Sequence, residues 1–153
     1  MTIARRPEDR RDDLDSQIYT VAAGQTVRAG MGIKVAATDT SPATADYPQA
    51  QEAIANTDLV EAIAAGEPGD SYAAGEQFTG YLMSDGGVIP VMVGTGGVTR
   101  GGYICATTNG FTDAPANGNG TTRIFSPGTA RAASSTAGDF VGMLIKPTAL
   151  AKT

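Results

Sequence analysis

Cys105 is the chain's single thiol, set in Gly102-Tyr-Ile-Cys-Ala-Thr, and nucleophilic catalysis is the chemistry it would offer. A cysteine nucleophile needs a base or cation to hold the thiolate, and the chain has 0 histidines to supply one. A small buried strand side chain accounts for Cys105 better. The carboxylates beyond the N-terminal segment stand singly at Asp39, Asp46, Glu52, Asp58, Glu61, Glu67, Asp70, Glu76, Asp85, Asp113 and Asp139. Two of them could form an acid/base pair of the glycosidase kind, but nothing in the spacing selects two. Gly94-Thr-Gly-Gly-Val and Gly24-Gln-Thr-Val invite comparison with phosphate-cradling loops, yet neither carries the Gly-Lys-Ser/Thr ending that reaches phosphate and magnesium. Asp113, Asn117 and Asn119 offer oxygen ligands without the spacing or closing bidentate Glu of a calcium loop. The Val-x-x-Gly-x-x-Val-x-x-Gly pattern also occurs in biotinyl and lipoyl carrier domains, but here Lys34 lies within the strand Ile33-Lys-Val35 instead of at a hairpin tip. The expectation is no catalytic residue, no metal and no cofactor, and therefore a binding or structural role.

Charge narrows the partners. The net charge is −5, whereas phosphate binding requires a clustered excess of Lys and Arg. The one dense basic group, Arg5, Arg6, Arg10 and Arg11, is interleaved with Glu8, Asp9, Asp12, Asp13 and Asp15, so it nearly cancels. No nucleic acid is expected. Membrane is not expected either, because no segment approaches about 20 continuous apolar residues and the N-terminus lacks the apolar stretch of a secretion signal. With one cysteine there can be no internal disulfide, which suits synthesis in a reducing cytoplasm.

The elements that position these residues are punctuated by glycine. The 153 residues suit one domain with its own core, and 20 glycines exceed the usual share of about 7%. Residues 1 to 17 separate from the rest: positions 5 to 15 hold nine charges and a lone leucine, too little apolar surface to order alone. It reads either as a frayed, solvated tail or as an extended charged arm that orders on a partner by adding a strand to an exposed sheet edge. Residues 18 to 153 form a single β-rich domain. Strands are expected around Gln17 to Val21 and Gly32 to Ala36, with the glycine corner Gly24 to Gly30 between them. Thr38 to Pro48 reads as a loop. Pro48 to Ala55 and Thr57 to Gly66 read as one or two short helices, though the second is also compatible with a strand. Gln77 to Met83 and Val88 to Val93 are strands across a Ser84-Asp-Gly-Gly break, the second an edge or bulged strand because Pro90 cannot donate to a ladder. Asn109 to Thr122 reads as an extended loop. Phe140 to Ile145 is the strongest apolar strand, ended by Pro147. Regular turns between short strands favour a barrel or sandwich over a βαβ layout.

Taken in order, Val21-Ala-Ala-Gly24-Gln-Thr-Val27-Arg28-Ala-Gly30, Gly87-Val-Ile-Pro-Val-Met-Val93, Val98-Thr-Arg-Gly-Gly102, and Ser134 to Gly138 before Asp139-Phe-Val-Gly-Met-Leu-Ile145 resemble the tailed-phage capsid decoration, or cement, proteins. The resemblance spans residues 18 to 146 and is one of pattern. It implies a compact mainly β fold, a barrel or β-tulip with one or two short helices and the extended arm. It further implies a homotrimer on the outer surface of the expanded head, clamping neighbouring major capsid protein subunits without enzymatic activity. The arm would then supply the capsid contact, with Arg5, Arg6, Arg10 and Arg11 as its ionic part and Ile3, Leu14 and Ile18 as apolar anchors. Tyr72, Phe78, Tyr81 and Phe125 are the candidates for the trimer contact, since aromatic residues are enriched at interface cores, and each equally fits the core of the monomer. The alternative from another class is a β-rich adhesive or fibre module binding a surface glycan, disfavoured by low aromatic content and 0 tryptophans.

Overall fold

Alternating burial along Gln17-Ile-Tyr-Thr-Val21 turns Tyr19 and Val21 inward and Ile18 outward, the period-2 signature of a strand with one buried face. A computed structural model describes residues 15–36, 47–83, 87–115 and 123–150. In it this strand, β1 (Ser16–Val21), is the first of twelve: β2 (Thr26–Arg28), β3 (Gly32–Val35), β4 (Gln49–Glu52), β5 (Ala62–Ala64), β6 (Ser71–Ala73), β7 (Gln77–Leu82), β8 (Val88–Met92), β9 (Tyr103–Thr107), β10 (Gly110–Asp113), β11 (Ile124–Ala130) and β12 (Phe140–Leu150).

Five of them close a barrel in the order β1-β4-β3-β5-β7. Pairing is antiparallel except between β1 and β4, where Thr20 and Val21 lie beside Gln49 and Ala50 in parallel. The barrel is filled by Tyr19, Val21, Val27, Ile33, Ala50, Ala62, Ala64 and Phe78. Tyr19 and Tyr72 each stack with Phe78, ring centroids 5.7 and 5.5 Å from it. Burying a ring such as Phe78 contributes about 1.5–3 kcal/mol, and offset stacking adds about 0.5–1.5.

A second sheet, in the order β10-β9-β11-β12-β8, curls until its edges meet: Val93 bridges Phe111, and the Gly94 amide donates to the Phe111 carbonyl at 2.7 Å. Its apolar face, with Ile89, Val91, Val93, Ile104, Phe111, Met143 and Ile145, packs with Val60 and Ile63 as a second core. The ribbon β2–β6 completes the molecule. Arg28 on that ribbon joins the parts, its guanidinium bonding both Glu52 carboxylate oxygens on β4 at 3.1 Å and the Thr108 carbonyl between β9 and β10 at 3.1 Å.

The mainly β barrel fold agrees with the sequence reading, and four local readings need correction. Among the described residues there is no helix. Pro48 to Ala55 is instead β4, because Ala50, fully buried, fits the narrow barrel interior, and pairing with two neighbours outweighs the helix propensity of Ala, Gln and Glu. Thr57 to Gly66 becomes a turn followed by β5, with the Asp58 amide donating to the Ala55 carbonyl. Within the expected loop Asn109 to Thr122, Gly110 to Asp113 instead form β10, antiparallel to β9, with Phe111 fully buried, while residues 116–122 lie outside the described residues. Finally, Pro147 does not end β12. The β11–β12 register shifts between Ser126 and Gly128, so Pro127 and Pro147 both fall at a bulge where a missing donor is tolerated.

Pro90 lies in the edge strand β8, as expected. The amides of Val93 and Ile145 donate to Asp139 and Gly87, which makes odd-numbered residues of β8 the ones bonded to β12. The proline nitrogen therefore points to the free side. One step on, the Met92 amide uses that side to donate to the Gly30 carbonyl at 2.9 Å. Gly30 must be glycine there: its φ is +84°, and a Cβ would lie 2.9 Å from the Met92 nitrogen and 2.7 Å from the Phe140 ring.

Candidate functional site

Three of the concavities on the described surface are candidates for a site. The first is polar, about 550 Å³, and lined by Gly96, Gly97, Thr99, Asp113, Ser134 and Thr136 among others. Its acid is already engaged: the Asp113 carboxylate accepts from the Thr99 amide at 2.7 Å and the Thr99 hydroxyl at 2.6 Å. Nearby, the Ser134 hydroxyl donates to Asp139 at 2.8 Å. Among the described residues no three His, Cys, Asp or Glu side chains gather as metal ligands.

The second, about 320 Å³, runs past Ile54, Asn56, Cys105 and Thr112. Cys105 is 2% exposed, and burial, with Asp113 nearby, pushes its thiol up to about 11. Such a thiol is almost wholly protonated at neutral pH, so it offers packing and not a nucleophile.

The third is an apolar groove of about 500 Å³ between barrel and second sheet, lined by Gln17, Tyr19, Leu59, Val60, Glu61, Leu82, Met83, Phe125 and Pro147. It is built from strand ends. β1 brings Gln17 and Tyr19, β7 brings Leu82 and runs on to Met83, and β11 brings Phe125, whose amide donates to the Asn56 carbonyl. Burial and then the charge of Glu61 raise the Tyr19 hydroxyl above its ordinary range, so a carboxylate stands close to the apolar floor. Asp15 adjoins the groove, because its carbonyl accepts from the Leu82 amide at 2.8 Å. The arm therefore joins the body at the groove's margin.

Of the arm anchors, Ile18 lies on the outer face of β1, opposite Thr79 and 39% exposed. Ile3, Arg5, Arg6, Arg10, Arg11 and Leu14 lie outside the described residues. β1 begins at Ser16, so the last two positions assigned to the arm belong to the barrel. The four aromatic candidates do not form one patch. Phe78 is 4% exposed inside the barrel, and Tyr72 packs on it while donating its hydroxyl to the Ala65 carbonyl at 2.7 Å. Tyr81 and Phe125 pack instead against the second core. Leu59 and Met83 were not singled out by sequence, since Asp58-Leu-Val-Glu61 reads as part of a short helix. In the turn that forms, Val60 faces the core while Leu59 is left outside, 60% exposed.

No protein-family model and no curated protein sequence matches the chain. Among solved structures it is similar to the N base of the head fibre protein gp8.5 of bacteriophage phi29, at 15% identity with a TM-score of 0.59, covering 90% of this chain and 98% of that one. The likeness takes in nearly the whole of both chains and is one of fold.

Proposed function

We propose that this protein is a structural component of a phage head, a decoration protein that seats on the outer surface of the expanded capsid and braces neighbouring major capsid protein subunits without catalysing a reaction. The observation that carries the proposal is the likeness over nearly the full chain to the base of a phage head fibre. The chemistry of the surface supports it. The polar concavity has its carboxylate internally bonded, the thiol is protonated, and the apolar groove adjoins the charged N-terminal segment. The arm, with Ile3, Leu14 and Ile18 as apolar anchors and its four arginines as ionic partners, makes the capsid contact by strand addition. Three copies assemble on the head after synthesis in the host cytoplasm.

A second reading, a β-rich adhesive or fibre module that binds a surface glycan, draws on the same neighbour, the base of a head fibre. Incubation with expanded, undecorated heads of the parent virus separates the two. Saturable uptake, with added density on the outer shell by electron cryomicroscopy, is the expected result. No uptake, together with a specific signal on a glycan array, would overturn the decoration role in favour of adhesion.

A further inference from the structure

The groove beside Asp15 is lined mainly by apolar side chains, with the carboxylate of Glu61 among them. Leu82, Met83 and Phe125 line it over a floor that includes Val60 and Tyr19. Leu59 lines it too and is the most exposed large apolar side chain among the described residues. A lone exposed leucine is ordinary, but one bordering an apolar concavity enlarges a surface that favours a partner. Exposed Glu61 lines the same groove, its charge felt by the Tyr19 hydroxyl and no cation bonded to it among the described residues.

The sequence holds the complement. Ile3-Ala4-Arg5-Arg6 presents an aliphatic residue with a cation two positions on, and in an extended segment those two share a face about 7 Å apart. The arm joins the body at Asp15, bonded to Leu82, itself a groove residue. Ile3 is twelve residues from Asp15, and a chain of that length reaches up to about 40 Å. A tether that short holds its end at an effective concentration on the order of millimolar, which an untethered ligand of the same chemistry must exceed.

We propose that in the free protein this groove seats the chain's own residues 3–6, with Ile3 among Leu59, Leu82, Met83 and Phe125, and Arg5 paired with Glu61. An outside partner that takes the arm competes with this seat. The inference concerns the free protein and stands apart from the identity of that partner.

Full-length protein carrying carbon-13 methionine methyls and a nitroxide on Ala4→Cys tests it. Cys105, buried and protonated, does not take the label in the folded protein. The Met83 methyl signal should be lost to paramagnetic broadening, and recovered when Ile3→Asp or Glu61→Lys is added. A Met83 signal that survives in the parent, or is lost equally in the Ile3→Asp variant, would overturn the proposal. A mixture of tagged unenriched and untagged enriched protein completes the test. Met83 should keep its signal there, and loss would place a second copy's arm in the groove, overturning the intramolecular seat.

Discussion

Asp58 shows how a single side chain replaces the helix that its neighbourhood suggests. Its carboxylate accepts from Lys34 Nζ at 2.8 Å and from the amides of Ile54 and Ala55 at 3.0 and 3.1 Å. Burial pushes the carboxyl up, but the bonds from Lys34 and from the two amides more than reverse this and leave it below its ordinary value. A carboxyl lowered by folding stabilises fully above its unfolded value of about 4, and that stabilisation drains as pH falls through the lower folded value. Asp58→Ala should therefore cost about 2 kcal/mol in urea unfolding at pH 7, with the gap to the parent narrowing below about pH 4. Gly30 is the second residue on which the fold turns. Gly30→Ala forces a left-handed backbone and a clash with the Met92 nitrogen, for a loss of roughly 3 kcal/mol by the same measurement.

At the scale of elements, backbone donors explain what sequence conveyed and what it did not. Pro90 was legible as an edge marker because a missing N–H cannot sit inside a sheet. The structure adds which side that nitrogen faces. Pro90→Thr, on the free side, should change stability by no more than about 0.5 kcal/mol, whereas Val91→Pro removes a donor to β12 and should cost about 3 kcal/mol or more by thermal denaturation. The glycine corners were legible for a similar reason, with Gly24 and Gly30 at φ of +74° and +84°. β4 was not, since Gln49-Ala-Gln-Glu52 has no branched or aromatic residue and becomes a strand only through partners distant in sequence. β10 was hidden by the Asn, Gly and Asp around Phe111, and β12 by a proline whose bulge depends on another proline in β11. The groove was illegible because it needs β1, β7, β11 and β12 together with the turn at Leu59, five segments whose contact no local pattern announces.

For the whole molecule, a closed barrel and a curled sheet are held together by the Met92 amide on the Gly30 carbonyl and by the Arg28 bonds to Glu52 and Thr108. The proposed contact through Arg5, Arg6, Arg10 and Arg11 implies sensitivity to ionic strength, because exposed ion pairs are screened over about 10 Å at 0.1 M salt. Affinity for heads should fall as salt rises from 0.05 to 0.5 M, on the order of tenfold, while the unfolding midpoint of the body stays nearly constant. The most direct measurement is co-sedimentation with expanded, undecorated heads, comparing the full-length protein with a version lacking residues 1–14, which keeps Asp15 and all of β1. Saturable binding by the full-length protein and none by the shortened one is the predicted result. Equal binding by both would contradict the arm as the capsid contact, and binding by neither would contradict the decoration role itself.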